Sequence, residues 1–361
     1  PDQANVFIEI DGAFYGTSRT GGVYGFGQIY KYDPSADVYT IVYSFNSTGG
    51  GTKPLGGIAQ NSTILYGTTL DGGANALGTY WAFDLLTNTY TVLLDLDATT
   101  GNLERSAGGS FPDNYQDNEP VYHNGFVYEL FLNGGTNNEG TLIKVDVISG
   151  NYTVLLNLVA SSNVVVPSTK FTSGIIFNNE PILCYNEKIF QIDSIGNVTT
   201  HTTIGTSNLI TNMYINPSNS SQICTIEAKL NGGSRFVIKD SSFADVSSTT
   251  LSSPHLYRLL CTDGATNYAL SCNASGSFID VKNASTNTSL FTYNTTLGTQ
   301  LRNSFVFYNN KIYVSKGNEI MYLDFTNNTF VTVFDIGTDP PTVVQTNDVD
   351  VNQAPIFLEL C

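Results

Sequence analysis

The chain has 361 residues and a formal net charge of −16; 13% of its residues are charged, 41% hydrophobic and 12% aromatic. This apolar content suffices for a packed core, so the composition excludes a disordered chain. The negative charge argues against binding to nucleic acid or to an anionic membrane surface, and no apolar run approaches the ~18–20 residues of a membrane span.

Paired apolar runs joined by polar turns recur along the chain. The first is Gly27–Phe45 (GQIYKYDPSADVYTIVYSF), the second Gly78–Asp97 (GTYWAFDLLTNTYTVLLDLD) and the third Gly140–Leu158 (GTLIKVDVISGNYTVLLNL). Each is typical of a β-hairpin, because strand-like runs flank turn residues. Their recurrence at these intervals predicts a repeat architecture.

One acidic residue marks the hairpin turn of each predicted unit. These markers are Asp33, Asp84, Asp146, Asp193, Asp240, Asp280 and Asp324. Successive markers lie 51, 62, 47, 47, 40 and 44 residues apart, close to the roughly 40–50 residues of a four-stranded blade. The first three units and the last have the clearest pattern, whereas the fifth and sixth depend mainly on their spacing.

Two further strands precede the hairpin in each unit. Asp11-Gly12 and Asn124-Gly125 lie between apolar runs in the first and third units, and such pairs are strong signals for a tight β-turn. Four antiparallel strands in each of seven units, with no convincing helix, predict an all-β fold. We expect a seven-bladed β-propeller over residues 1–335, since radial packing buries both faces of every blade.

Three short sequence motifs support the interpretation of the chain as a β-propeller. Tyr15-Gly16-Thr17-Ser18, Tyr66-Gly67-Thr68-Thr69 and Gly140-Thr141 resemble the motifs of a Gly-rich "YGTT…GTVFKxD" repeat family that is expected to form propellers. The resemblance covers roughly the first 160 residues. It implies a fold and implies no activity.

Several features favour a secreted glycoprotein. Charged residues are sparse, and the N-x-S/T sequons fall mostly at predicted turns or strand ends, where a glycan can be carried. A chain rich in Asn, Ser and Thr also yields many such sequons by chance. The ten are Asn46, Asn61, Asn151, Asn197, Asn219, Asn273, Asn283, Asn287, Asn294 and Asn327.

The five cysteines suggest disulfides and no zinc site. Cys261 and Cys272 flank a short strand–turn–strand, so they are expected to face each other, and Cys184 and Cys224 are placed to join neighbouring units. Neither a CxxC motif nor a Cys/His metal spacing occurs. The remaining Cys361 is a candidate for a covalent link between subunits.

One face of the predicted propeller is the best place for a ligand. The long segment Ala98–Glu119 is expected to emerge beside Thr20–Phe26, and loops of this length are usually functional or mobile. Aromatic rings there can stack on sugars while Asp and Asn bind hydroxyls. The alternative interpretation is that the rings pack within their own loops. The candidate ligand residues are Tyr24, Phe26, Phe111 and Tyr115.

No pattern predicts catalysis. His123, His201 and His255 fall in different blades with no nucleophile motif beside them. The Gly-rich loops precede no helix, so we interpret them as turns with positive φ and not as phosphate cradles. We therefore predict no catalytic residue, no metal, no cofactor and no enzymatic activity.

The tail, residues 336–361, is predicted to be a linker and a strand that repeats the start of the chain. QAPIFLEL at 353–360 matches QANVFIEI at 3–10 with four identities and three conservative changes, at an offset of 350 residues. Three interpretations follow: the chain continues into a second propeller, the tail adds to a neighbouring subunit, or it closes its own ring. The last is weaker, because the first copy already supplies that strand.

The leading functional hypothesis is an extracellular, glycosylated structural propeller. Head-to-tail addition or exchange of a terminal strand would link copies of the chain into filaments or arrays. The alternative is a secreted carbohydrate-binding, lectin-like propeller. The predicted assembly strand comprises Gln353, Ala354, Pro355, Ile356, Phe357, Leu358, Glu359 and Leu360.

Overall fold

The structure is a computed structural model. It describes residues 4–48, 50–101, 119–159, 172–202, 208–229, 233–252, 257–272, 278–294, 301–316, 319–327, 329–335 and 342–343. The strands form seven sheets, each with four consecutive antiparallel strands, and no helix occurs among these residues.

The first three blades contain the strands with the clearest repeat pattern. Their strands are β1 (Ala4–Ile10), β2 (Ala13–Ser18), β3 (Gln28–Asp33), β4 (Val38–Ser44), β5 (Thr52–Asn61), β6 (Ile64–Asp71), β7 (Thr79–Asp84), β8 (Thr89–Asp95), β9 (Val121–His123), β10 (Phe126–Phe131), β11 (Thr141–Asp146) and β12 (Tyr152–Asn157).

Blades four to seven keep the same order although their sequences have diverged. Their strands are β13 (Thr172–Phe177), β14 (Glu180–Tyr185), β15 (Lys188–Ile192), β16 (Val198–Thr202), β17 (Asn208–Ile215), β18 (Ile223–Lys229), β19 (Ser234–Lys239), β20 (Asp245–Leu251), β21 (Tyr257–Thr262), β22 (Asn267–Cys272), β23 (Phe278–Asn283), β24 (Thr288–Asn294), β25 (Leu301–Tyr308), β26 (Lys311–Lys316), β27 (Glu319–Asp324) and β28 (Thr329–Asp335).

The seven blades form a closed ring. The first strand of each blade contacts the first strand of the next, from β1 through β25 and back to β1. Seven apolar clusters lie between consecutive blades, one at each interface. The predicted seven-bladed β-propeller is therefore confirmed.

Aromatic packing closes the ring between blades seven and one. The ring centroids of Phe14 and Tyr313 lie 4.8 Å apart in an edge-on contact. Tyr39 stacks on Phe334 at 4.0 Å. Such contacts add to the stabilisation from apolar burial, so the N- and C-terminal blades are held together by side chains.

Steric contacts explain the glycine of the Tyr-Gly-Thr motif. Gly16 pairs with Tyr30 and Gly67 with Trp81 across neighbouring strands. A Cβ atom on Gly67 would lie 2.5 Å from Cζ2 of Trp81, which is too close. In blade three, Glu129 stands at the glycine position and pairs with the smaller Ile143, so the glycine is needed only where a large ring lies over it.

The marker residue of blade six differs from the prediction. Asp280 lies inside β23, where its Oδ2 accepts a hydrogen bond from the Tyr257 hydroxyl at 2.5 Å. Asn283 occupies the turn position instead, and its Oδ1 accepts hydrogen bonds from the N–H groups of Ser285 and Thr286. The prediction was wrong at this position because an amide oxygen caps the turn in the same way as a carboxylate.

A short strand from the tail joins the first blade. β29 (Thr342–Val343) runs parallel to β4 and pairs with Thr40 and Ile41. It forms the fifth strand of that sheet, at its outer edge. The assembly strand proposed at 353–360 lies outside the described residues, and the division of the chain at residue 336 stays a prediction.

Candidate ligand-binding face

Three Gly-Gly-x4-Gly loops connect the second and third strands of blades one to three, at residues 21–27, 72–78 and 134–140. In each, the N–H of the last glycine donates to the carbonyl of the first, at 3.1, 3.0 and 3.1 Å. These loops lie on one face of the propeller, which we call the loop face.

Steric contacts explain the last glycine of each loop. Gly78 has a φ of +94°, and a Cβ atom there would lie 2.0 Å from the Thr69 carbonyl oxygen. Gly140 has a φ of +110° and the same conflict with Phe131. L-residues other than glycine rarely adopt such backbone angles. The interpretation of these loops as turns is therefore confirmed.

Blade one uses the same loop backbone but presents different side chains. In blades two and three, the Asn75 and Asn137 amides donate to backbone carbonyls at 3.0 and 3.1 Å. Tyr24 takes this position in blade one. It is 51% exposed, and its neighbours Val23 and Phe26 are 66% and 37% exposed. Blade one thus exposes three apolar side chains on a defined turn.

Hydrogen bonds tie this apolar turn to its surroundings. The N–H of Val23 donates to the Ser44 hydroxyl at 3.1 Å. The Phe26 carbonyl accepts a hydrogen bond from the N–H of Lys53 at 2.7 Å, and the Lys53 side chain forms an ion pair with Asp71. Lys53 of blade two, which carries this ion pair, therefore lies next to the backbone of Phe26. The other two predicted ligand residues, Phe111 and Tyr115, lie outside the described residues.

A cavity of about 230 Å³ opens between blades three and four, where no sequence pattern predicted a site. Leu158 and Phe190 contribute apolar walls, and the turn 185–188 contributes polar groups. Its residues come from two blades, so no local pattern predicts the cavity. The available signal was the adjacent Glu187 and Lys188 in a tight turn of a chain with 13% charged residues.

The surroundings of the cavity are acidic. Burial raises the pKa of Tyr185, and the nearby carboxylates of Glu139 and Glu187 act in the same direction. Glu139 belongs to the Gly-Gly loop of blade three, so this cavity opens at the loop face. It lies two blades away from the exposed rings of blade one.

The structure corrects the disulfide predictions. Cys184, Cys224 and Cys261 are buried free thiols. Cys261 pairs with Tyr268 across the hairpin, whereas Cys272 pairs with Ile279 on the following strand. Cys184 and Cys224 belong to apolar clusters at two different blade interfaces. Burial raises the pKa values of Cys184 and Cys224 to about 12, which keeps both thiols protonated.

The sequons differ in accessibility. Asn151, Asn197, Asn219 and Asn327 are exposed. Asn287 instead holds neighbouring groups together: its Oδ1 accepts hydrogen bonds from Lys282 and from the Ser252 backbone. Asn273 lies outside the described residues.

Two of the three histidines make polar contacts with neighbouring side chains. His123 Nε2 contacts the amide of Asn124 at 2.8 Å, and His201 Nε2 contacts Gln191 at the same distance. His255 lies outside the described part of the chain. Within that part, no group of His, Cys, Asp and Glu side chains is arranged to hold a metal ion, and no helix has the length and apolarity needed to cross a bilayer.

Comparison with known proteins supports the repeat fold. Residues 2–175 match the Gloeobacter/Verrucomicrobia repeat. The matched stretch covers blades one to three and ends within the first strand of blade four. This match is consistent with a repeat family. None of the curated proteins compared with the chain is similar to it in sequence.

Solved structures with similar folds have very different sequences. A catalytically inactive virginiamycin B lyase from Staphylococcus aureus with quinupristin has a TM-score of 0.57 at 11% identity, covering 88% of this chain and 92% of that one. Puromycin hydrolase gives 0.55 at 10%, covering 92% and 53%. The extracellular domain of BT4673 from B. thetaiotaomicron gives 0.50 at 11%, and the match covers 87% of this chain but only 37% of that chain. At these identities the similarity shows the fold alone.

Proposed function

We propose that this chain is a non-catalytic propeller that binds carbohydrate at the loop face of blade one. The observation that carries the proposal is the exposure of Tyr24 and Phe26 on one turn, where the Tyr24 position is taken in blades two and three by the hydrogen-bonded Asn75 and Asn137. Exposed aromatic side chains held on a rigid turn mark binding sites, because their burial by a ligand removes apolar surface from water.

A sugar suits this surface better than a wholly apolar ligand. Aromatic rings pack against the C–H groups of a sugar ring, and the Lys53–Asp71 ion pair beside Phe26 supplies a donor and an acceptor for hydroxyl groups. Hydroxyl groups both donate and accept hydrogen bonds. The strongly acidic chain also disfavours polyanionic glycans, so we expect neutral sugars.

A glycan array followed by calorimetry on the strongest ligand tests the proposal. The double variant Tyr24→Ala/Phe26→Ala should bind at least about tenfold more weakly, because truncating an aromatic anchor typically costs about 1 kcal/mol or more. Leu86→Ala is the matched control. Leu86 is 77% exposed in a hairpin turn on the opposite face, and its loss should leave affinity unchanged. Equal binding by the double variant and the wild type would refute the proposal.

Self-assembly through the tail is a second candidate, favoured by the position of the first strand. β1 lies at the centre of the ring, and its Phe7 is 2% exposed. A second copy of this motif at 353–360 has the same need to bury its phenylalanine. Deleting residues 348–361 should convert filaments or oligomers to monomers in size-exclusion chromatography and electron microscopy. Unchanged assembly after the deletion would exclude this candidate.

We also propose that the protein is extracellular and glycosylated. The exposed positions of Asn151, Asn197, Asn219 and Asn327 support this assignment. Material secreted from a glycosylating host should lose mass on enzymatic deglycosylation, and peptide mass spectrometry should locate glycans at these four sites. Asn287 should be unmodified, because its amide is engaged by Ser252 and Lys282.

A further inference from the structure

Glu187, which lines the cavity between blades three and four, has an unpaired carboxylate oxygen. Oε2 of Glu187 is buried and has no hydrogen-bond partner among the described residues. A buried acceptor without a donor is costly, since the group has lost its water and gained nothing in exchange. Rotation of the Glu187 side chain toward the cavity would let a molecule bound there donate the missing hydrogen bond.

The cavity is held open by its own walls. On one side, the N–H of Leu158 donates to the Gly140 carbonyl at 2.9 Å, and the Asn137 amide donates to the Leu158 carbonyl at 3.1 Å. On the other, the Asn186 carbonyl accepts a hydrogen bond from the N–H of Ile210 at 2.8 Å. Both walls are tied to rigid strands or loops, so the site is largely pre-formed, as ligand sites usually are.

Strand geometry places an ammonium group and a ring on the same side. Alternate residues of a strand share a face, so Lys188 and Phe190 of β15 project in the same direction. Phe190 belongs to the apolar cluster between blades three and four, and both residues line the cavity. The cavity thus combines a carboxylate, an ammonium group and an apolar wall.

The size and polarity of the cavity select one class of ligand. At about 230 Å³, it is smaller than the roughly 300–1,000 Å³ of pockets for drug-sized molecules. The neutral polar side chains of Asn186 and Thr200 accompany the two charges. A zwitterion would use only the charges, whereas the hydroxyl groups of a sugar can donate to Glu187 and accept from Lys188 and the neutral groups.

We propose that this cavity is a binding site for a single neutral sugar residue. Glu187 accepts a hydrogen bond from a sugar hydroxyl, Lys188 donates to another, and the C–H face of the sugar packs against Phe190 and Leu158. This site is separate from the exposed rings of blade one and does not depend on them.

Saturation-transfer NMR with a panel of free monosaccharides, and with leucine as a zwitterionic probe, tests this inference. We expect saturation transfer to at least one neutral hexose or N-acetylhexosamine and none to leucine. Glu187→Gln should weaken binding of that sugar about tenfold or more, because it removes a charge-assisted hydrogen bond while keeping the side-chain shape. Glu319→Gln in blade seven, a glutamate far from the cavity, should have no effect.

The control variants separate this site from the one in blade one. The Tyr24→Ala/Phe26→Ala variant should retain monosaccharide binding in this assay, whichever way the glycan-array test turns out. Thr200→Val provides a second variant at the cavity, and we expect it to lower affinity by a smaller factor than Glu187→Gln. Absence of transfer to every sugar, transfer to leucine alone, or unchanged affinity in Glu187→Gln would each overturn the inference.

Discussion

Blades two and five differ in the side chains that they direct toward the preceding blade: these are neutral in blade two and charged in blade five. In blade two, the surface facing the preceding blade carries the Thr69–Thr79 hydroxyl pair, at 3.0 Å, then Trp81 lying over Gly67, and then Phe83. The side chains of both threonines, Trp81 and Phe83 are buried. The indole and phenyl rings fill the space between blades one and two.

In blade five, an ion network occupies the matching positions. Glu227 and Arg235 replace the two threonines and approach to 2.6 Å, while Lys239 replaces the phenylalanine. Lys239 Nζ lies 2.9 Å from Glu227 and 2.5 Å from Asp245, and its side chain is 1% exposed. The strand order is the same in both blades. A change of interface chemistry therefore leaves the blade architecture intact, and blade five keeps the fold without the Tyr-Gly-Thr motif of blades one and two.

Removing the Trp81 indole from blade two should have the largest effect on the free energy of unfolding. We expect Trp81→Ala to lower the free energy of unfolding by about 3–5 kcal/mol, because the substitution leaves a large cavity next to Gly67. Guanidinium unfolding measures this change. Leu86→Ala in the same blade should change stability by no more than about 0.5 kcal/mol. A loss below about 1 kcal/mol for Trp81→Ala would show that this interface is not packed as described.

Breaking the ion network of blade five should cost slightly less. Lys239→Met removes the central cation and leaves buried carboxylates behind, which typically costs about 3–5 kcal/mol. We expect the lower end, about 3 kcal/mol, because Arg235 still pairs with Glu227 and Asp245. The same guanidinium unfolding experiment applies.

Replacing the four charged residues of blade five by the equivalent residues of blade two sharpens this test. The residues of blade two that match Glu227, Arg235, Lys239 and Asp245 are Thr69, Thr79, Phe83 and Tyr90. The quadruple variant Glu227→Thr/Arg235→Thr/Lys239→Phe/Asp245→Tyr leaves no buried charge unpaired. It should be more stable than Lys239→Met, since buried ion pairs can be replaced by packed neutral side chains at little cost. A quadruple variant less stable than the single one would mean that blade five requires its charges.

Sequence patterns predicted the parts of the molecule that are repeated. Hairpins such as Gly78–Asp97 identified the outer strands of a blade, and their spacing gave the number of blades. The pattern failed for Asp280, because spacing cannot distinguish a capping Asp from a buried one when Asn283 lies three residues away. The turn itself was correctly expected, since Asn and Asp accept the same backbone hydrogen bonds.

Features formed between blades could not be predicted in this way. The cavity beside Glu187 depends on how blade four packs against blade three, and no single segment contains both walls. The cysteine pairings failed for a related reason: the register of β21 and β22 places Cys261 opposite Tyr268, and an eleven-residue separation does not reveal that register. The exposed rings of Tyr24 and Phe26 were identified because one short loop contains them.

The turn residues allow a finer comparison between blades, with the smallest expected effect. Hydrogen bonds lower the pKa values of three turn aspartates. The main donor is the N–H of Leu86 for Asp84 and the N–H of Ser149 for Asp146. For Asp193 it is the side chain of Asn197. Asn283 makes equivalent bonds in blade six but has no ionisable group.

Because the folded pKa values are lowered, these turns stabilise the protein above the ordinary Asp pKa of about 3.9, and the stabilisation is lost as the pH falls through the folded values. The triple variant Asp84→Asn/Asp146→Asn/Asp193→Asn should therefore show a shallower fall in Tm between about pH 4 and pH 2 than the wild type. The reciprocal variant Asn283→Asp should steepen that fall, since it gives blade six the titrating group that the other turns carry. The effect is small because water surrounds all of these turns. Parallel Tm–pH curves for the three proteins would show that backbone hydrogen bonds to the turn carboxylates contribute nothing to acid stability.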